Sequence, residues 1–321
     1  MYTISARDLS YSGSSSILEA DTFSIKPNYS DYEFASRHQF ETDRFEALFR
    51  NVSFQDFSAV DFITSGTLVS SFIEIEEVSL DIFRDKRKEF KHENKPLLQD
   101  LIYDYPGKIH IDSIAISGGD ITYREHAEKA NEYGVIKFND FYALIYKVSN
   151  DVVYKTDEAF LEIMAEAILM GRGKVTLNFK GKIFESQNTF SLNGSLSAMD
   201  ASALNPILEN NAFVFVRSGR IDSMNFSLTA NNNKATGKMS LLYHDLNIEV
   251  MDADGATGLK ERFVTFLANL AVINQNPGTG QEVREGVIDF ERDPERSIFN
   301  YWVKSILSGV TSSLLIYDFT G

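Results

Sequence analysis

Few of the 321 residues offer chemistry on type and spacing alone. His110 and Asp112, two apart in Ile109-His110-Ile111-Asp112, point to the same face of a strand and would make half of a metal site. A complete site needs further ligands, and an exposed polar strand face accounts for the pair without one. His38, His92, His126 and His244 are scattered, and no His-Glu-x-x-His pair exists. The run Arg84-Asp85-Lys86-Arg87-Lys88 is a local cationic patch of the kind that meets a lipid headgroup or an acidic partner; the simpler reading is a solvated loop at a strand end. Glu291-Arg292-Asp293-Pro294-Glu295-Arg296 is a second charged cluster. No Gly-x-Ser-x-Gly elbow is present. Gly171-Arg172-Gly173 and Gly278-Thr279-Gly280 lack the third glycine and the lysine of a phosphate loop. With no cysteine, thiolate zinc, iron–sulfur clusters, disulfides and cysteine nucleophiles are excluded together. Nothing here argues for an enzyme, a cofactor or a resident metal.

The elements that would position a site must then be read from patterning. Lysine plus arginine number 31 against 46 aspartate plus glutamate, a net charge of −15, which opposes nucleic acid and bare anionic membrane as partners because both demand clustered cations. A hydrophobic fraction of 43%, with 25 Phe and 14 Tyr, is enough for a packed core. The opening Met1-Tyr2-Thr3-Ile4-Ser5-Ala6-Arg7-Asp8 alternates instead of building a basic and then an apolar region, so it does not read as a secretory leader. No window is apolar for long enough to span a bilayer. The best, 298–317, contains Asn300, Lys304 and several serines and reads as an amphipathic helix with Phe299, Trp302, Val303, Ile306, Val310, Leu314 and Tyr317 on one stripe.

Alternation with period two dominates the rest, the mark of strands with one apolar and one solvated face. Examples are Ile73 to Ile75, Val78 to Ile82, Ile109 to Asp112, Ile121 to Tyr123, Val175 to Phe179, Phe226 to Leu228 and Leu246 to Val250. A spacing of apolar, two residues, apolar, one residue, apolar recurs at Phe49/Val52/Phe54, Ile75/Val78/Leu80, Ile111/Ile114/Ile116 and Ile221/Met224/Phe226. The extra residue implies a bulge that keeps both flanking runs on one face. Ile73, Ile75, Val78 and Leu80 also map onto Ile109, Ile111, Ile114 and Ile116, which suggests stacked units. Residues 157–171 read either as a helix, from Glu158, Glu162 and Glu166, or as a strand, from Leu161 to Leu169. Short helices are expected within 95–105 and 200–210, the latter capped by Asp200. Loops are expected at 10–16, 86–95, 231–234, 252–258 and 274–280. So many one-faced strands with so few helices must cover themselves. They do so either as a sandwich with a dry core or as a curled groove holding an apolar ligand, to which each acyl methylene contributes about 0.8 kcal/mol.

Several short segments together resemble the AsmA-like superfamily, the AsmA/TamB-related proteins of the Gram-negative envelope. They are Ile82-Phe83-Arg84-Asp85-Lys86-Arg87, the run Ile109 to Glu125 with its Ser117-Gly118-Gly119-Asp120 centre, Met199-Asp200-Ala201 with Leu204-Asn205, Leu242 to Leu246, Ala268-Asn269 with Asn276-Pro277, and Ile298 to Ser305 with Ser308-Gly309. The resemblance implies a mainly β fold: an elongated, strongly curved antiparallel sheet forming an apolar groove, like a bridge-like lipid-transfer protein. It implies one groove region over 1–321, with the family's N-terminal membrane anchor lying outside this sequence and a C-terminal helix at 295–319. It also implies that Leu161 to Leu169 is a strand paired with Val175 to Phe179. The implied role is non-enzymatic handling of phospholipid in the periplasm, with acyl chains against Ile73, Ile75, Val78, Leu80, Ile109, Ile111, Ile114, Ile116, Ile121 and Tyr123. Inner- or outer-membrane proteins are implied as further partners. The alternatives are a scaffold for outer-membrane protein assembly that works by strand addition, or a closed β-sandwich binding module.

Overall fold

Alternating segments become strands, which make up 54% of the structure. The computed structural model describes residues 1–154, 160–251 and 274–314. The predicted loop 252–258, the Ala268-Asn269 motif, residues 157–159 and the helix end 315–319 lie outside the described residues. The strands are β1 (Tyr2–Arg7), β2 (Ser10–Ser12), β3 (Ile17–Pro27), β4 (Arg44–Gln55), β5 (Leu68–Asp85), β6 (Ile109–Ile116), β7 (Gly119–His126), β8 (Gly134–Ser149), β9 (Phe160–Leu169), β10 (Gly173–Lys182), β11 (Phe190–Leu196), β12 (Met199–Asp200), β13 (Val214–Ala230), β14 (Lys234–Val250) and β15 (Glu285–Glu291). The helices are α1 (Asp31–Ser36), α2 (Ala59–Ser65), α3 (Leu98–Tyr103), α4 (Asn205–Ala212) and α5 (Ile298–Leu314).

All fifteen strands belong to one curved sheet in the order β1-β3-β4-β5-β6-β8-β9-β10-β11-β13-β14-β15. This removes the two-sheet sandwich. β2 and β12 pair at the sides of β3 and β13, and β7 continues the line of β6 between β5 and β8. Residues 161–169 take the strand reading, with Leu161 opposite Gly181 and Leu169 opposite Gly173. Their side chains find partners on both neighbouring strands, which overrides the local preference for helix. Residues 10–12, expected as loop, pair with β3 instead.

The sheet is mixed and departs from the antiparallel expectation at one place. β6 and β7 both run parallel to β5, Ile73 pairing with Ile114 and Leu80 with Ile121. Ile73 therefore sits beside Ile114 and not at the register of Ile109, so the recurrence is no stacked structural unit. A parallel pair requires a crossover. Residues 86–108 provide it through the concave side of the sheet, burying Leu97 and Gln99 completely at the start of α3.

The four sites of recurring spacing coincide with backbone irregularities. Asn51 of β4 and Lys147, which lies on β8 beside the β6 site, have left-handed backbones (φ 48° and 61°). β5 changes neighbour from β6 to β7 between Ile75 and Val78, and β13 shifts register between Ile221 and Ser223. Each break returns the next apolar residue to the same face. At the β5 break, Gly119 (φ 136°) starts β7 so close to β5 that a Cβ would lie 1.9 Å from the Val78 carbonyl oxygen.

The main core lies on the concave side, where Ile73, Ile111, Leu161, Phe179, Phe190, Leu228 and Ile288 from distant strands share one cluster with Leu97 and α5. The outer side carries ion pairs between neighbouring strands, among them Lys174–Glu166 (2.8 Å), Lys180–Glu162 (2.8 Å) and Lys234–Asp289 (2.6 Å). Among the described residues, no helix is long and apolar enough to cross a membrane.

The terminal helix is used differently from its expected stripe. Its sheet-facing side is Ile298, Tyr301, Ser305, Gly309 and Ser313, all buried, whereas Phe299 (68% exposed) and Val303 (53%) face away. Small residues let α5 approach β15 closely. Ser308 Oγ accepts from the Asp289 amide (3.3 Å) and Ser312 Oγ from the Val287 amide (2.9 Å), so the open edge of the last strand is covered. Trp302, Ile306 and Val310 pack sideways onto the main core, with the Trp302 ring 5.6 Å from Phe179.

Candidate functional site

Registers across β4, β5 and β7 assemble apolar rows. Phe45, Ile82 and Tyr123 form one, Ala47, Leu80 and Ile121 the next, and Phe49 and Val78 a third. β8 extends them, since Ile121 pairs with Phe138 and Tyr123 with Ile136. Period-two alternation keeps these side chains on one face, the face that carries Ile73 and Ile75 beyond the break. The ten predicted lining residues divide there. Ile73, Ile75, Ile109, Ile111 and Ile114 belong to the main core, where α3 and α5 seal them. Val78 is buried, while Leu80, Ile116, Ile121 and Tyr123 are half-buried, and these five belong to neither apolar cluster. Phe45 in the same rows is 40% exposed. The concave face thus has a sealed main core, a second cluster in which Ile136 and Phe138 pack with Leu196 and Met199, and between them a half-buried apolar strip that belongs to neither.

One rung past Phe45–Ile82–Tyr123, the same face becomes ionic. The next residues in the alternation are Asp43, Arg84 and Glu125. Arg84 Nε donates to Asp43 Oδ1 (2.6 Å), and a second guanidinium nitrogen donates to the other oxygen. Glu125 accepts from Tyr123 OH (2.7 Å) and Asn211 Nδ2 (2.6 Å) and pairs with Lys86 Nζ (2.6 Å). Burial opposes the Arg84 cation, but the Asp43 carboxylate outweighs it and holds the pKa above the ordinary arginine value. Burial, then the Glu125 charge, raises the Tyr123 phenol, so it remains a donor.

The crossover closes this end. Glu41 N donates to Glu89 O (2.8 Å), Lys95 N to Pro294 O (2.8 Å), and the Arg296 guanidinium stacks 3.5 Å over Phe90. Glu41 Oε2 is buried without a hydrogen bond, its nearest cation being Arg296 at 3.9 Å, and burial raises its carboxyl above the usual range. Lys304, on α5, comes within electrostatic range of Lys86, Glu125 and Arg296. Burial, then the Lys86 charge, lowers its pKa.

The solvated-loop reading holds for the turn at Lys86–Lys88, where Arg87 is exposed, and is corrected for Arg84 and Asp85 and for the Lys86 side chain. Arg84 and Asp85 end β5, and only about a fifth of the Arg84 and Lys86 side chains is exposed. The signal was present in the sequence: Val78, Leu80, Ile82 and Arg84 continue one alternation, so the arginine had to face inward with the isoleucine. Glu125, after Ile121 and Tyr123, and Asp43, before Phe45 and Ala47, stand in the same kind of alternation, but that they meet Arg84 depends on the sheet order, and Lys304 carried no such signal. His110 and Asp112 do share a face, Nε2 to Oδ1 being 3.1 Å. Among the described residues, no three metal-ligating side chains converge. Asp200 sits before the turn at Ala201–Leu204 but makes no cap; its carboxylate lies 3.5 Å from Arg220 Nη1.

No protein-family model and no curated protein matches the chain.

Proposed function

We propose that the chain is a non-enzymatic lipid-handling module of the Gram-negative envelope, in which the half-buried apolar strip of the concave face holds phospholipid acyl chains. The observation that carries this reading is the division of the apolar face. Leu80, Ile82 and Ile121 are as apolar as Ile73 and Ile111 yet are half-buried and belong to neither apolar cluster. An apolar strip left half-open beside a closed core gains free energy from a chain laid along it, about 0.8 kcal/mol per methylene. The resemblance to AsmA-like proteins supplies the periplasmic setting and the phospholipid cargo.

The test is native mass spectrometry and solvent extraction of the purified protein. Phospholipid should leave with the protein, and Leu80→Asp or Ile121→Asp should abolish it while the far-UV circular dichroism stays unchanged. Wild-type protein that binds no lipid, alone or after incubation with phospholipid vesicles, ends the proposal.

The scaffold reading has one observation in its favour. The two ends of the sheet differ: α5 covers the edge of β15, whereas among the described residues β1 pairs with β3 alone and five of its six residues are exposed. A strand added to β1 is the geometry of β-augmentation. Photo-cross-linking from position Ile4 would capture one defined protein under this reading.

A further inference from the structure

Resting on the lipid-handling reading, we infer that the ionic end of the trough is a headgroup site, in which Lys304, with Lys86 and Arg296 beside it, receives the phosphate of an acyl phospholipid whose chain lies along Tyr123, Ile82 and Leu80. Three features on the concave face place an anion there. First, the Lys304 ammonium has no hydrogen-bond or ion-pair partner among the described residues, although it is half-buried and lies near the charges of Lys86, Glu125 and Arg296. Buried charges are normally paired or neutralised, and since burial and the Lys86 charge lower its pKa, the amine is a group that an incoming anion would hold in its charged form.

Second, Arg296 is held loosely, its guanidinium 3.9 Å from Glu41 and 3.7 Å from Asp293, beyond hydrogen-bond length. Its plane stacks on Phe90 and its donors remain available. Third, the carboxylates nearby do not neutralise the group. Glu125 already serves Tyr123, Asn211 and Lys86, Asp43 is held by Arg84, and burial biases Glu41 toward its neutral form. With Lys86 committed to Glu125, Lys304 and Arg296 are the cations left without a hydrogen-bonded carboxylate where the apolar rows stop, which is the polarity profile of an anionic amphiphile. A phosphodiester accepts several charge-assisted hydrogen bonds at once, which suits Lys304 on α5 and Arg296 just before it, with Lys86 in the turn after β5 nearby.

The test measures binding of myristoyl lysophosphatidylglycerol, myristate, dodecyl maltoside and inorganic phosphate to wild-type protein and to Lys304→Gln and Lys304→Arg, by isothermal titration below the micellar concentrations. Wild type should prefer lysophosphatidylglycerol over the maltoside by roughly tenfold or more, the worth of one charge-assisted hydrogen bond. Lys304→Gln should lose that preference without weakening the maltoside, Lys304→Arg should keep it, and inorganic phosphate should bind far more weakly than the lipid. Equal affinity for charged and uncharged heads, or a preference unchanged in Lys304→Gln, overturns the headgroup site and leaves the apolar trough standing. Binding of no amphiphile overturns both. Myristate as tight as the phospholipid replaces the phosphate with a carboxylate, and inorganic phosphate as tight as the lipid makes the site one for the free anion; either result overturns the assignment.

Discussion

Gly286→Ala puts the docking of α5 to direct trial. Gly286 has an ordinary backbone, so alanine brings no strain and removes some freedom from the unfolded chain, a gain of about 0.4–1 kcal/mol. The cost comes from space. A Cβ at 286 would lie 2.4 Å from the Gly309 carbonyl oxygen and 2.2 Å from Ser313 Oγ. The hydroxyl can rotate away; the helical carbonyl cannot. Reaching an ordinary contact near 3.5 Å moves α5 outward by about 1 Å. Overpacking of this kind costs about 1–3 kcal/mol. The same shift breaks the bonds from the Asp289 and Val287 amides to Ser308 and Ser312, about 1 kcal/mol each. The net loss is roughly 2–5 kcal/mol, or about 3–7 °C in Tm for a chain of this size. Trp302 is the one tryptophan and lies against Phe179 and Phe299, so its emission reports the helix alone. Emission should shift to the red in Gly286→Ala and remain unchanged in Gly13→Ala, where a Cβ meets only a Tyr11 ring carbon at 3.9 Å. An unshifted spectrum with a Tm equal to or above wild type would refute the close docking of α5 on β15.

Other consequences follow from the same contacts. Ser308→Ala with Ser312→Ala should leave the fold intact but cost about 2 kcal/mol and speed hydrogen exchange specifically at the Val287 and Asp289 amides. Phe179→Ala, which removes a ring stacked 5.2 Å from Phe190, should destabilise by about 3–5 kcal/mol in urea unfolding. Glu41→Gln should raise Tm at neutral pH. The folded-state pKa of Glu41 lies above its unfolded value, so its contribution is present in acid and lost as pH rises through the folded pKa, and the difference between the proteins should vanish below the ordinary carboxylate range. Asp85→Asn should behave oppositely. Burial opposes the Asp85 charge but Arg87 lowers its pKa further, so its stabilisation exists above the unfolded pKa and fades as pH falls through the folded one.

Strand identity and inward faces were legible because the period-two signal is local. The strand reading of Leu161 to Leu169 shows where local reasoning stops: Glu158, Glu162 and Glu166 satisfy a helix equally well, and only the presence of β8 and β10 on either side decides between them. The parallel β5–β6 pair was illegible for a related reason. Nothing in residues 86–108 announces that they return through the concave side, since their burial depends on strands separated from them by as much as two hundred residues. The helix stripe misled in a different way. Hydrophobicity ranked Phe299 and Val303 as core, but the approach of α5 to β15 is set by backbone distance, and Ser305, Gly309 and Ser313 allow it where larger side chains would not.

The same apolar spacing therefore yields two kinds of surface, and the difference lies in what faces it. Ile73 and Ile111 are opposed by Leu97 and by strands that bring Phe179 and Leu161 across the curve, so water is expelled whatever the ligand. Leu80, Ile82 and Ile121 are opposed at their end by ionic groups that cannot pack against them: Arg84 needs Asp43, and Lys86 needs Glu125. A salt-bridged rung of this kind is a poor stabiliser, because desolvation offsets most of its Coulomb attraction, and an apolar rung of equal volume would hold the sheet as well or better. Its effect is instead to stop the core from closing over the last three rows. If the ionic rung only keeps the core from closing, replacing Asp43 and Arg84 together by Leu and Met should extend the sealed core and raise Tm. Under the proposed lipid-handling role the pair would then serve the trough's use and not its folding, and the double variant should bind amphiphiles less well while unfolding later.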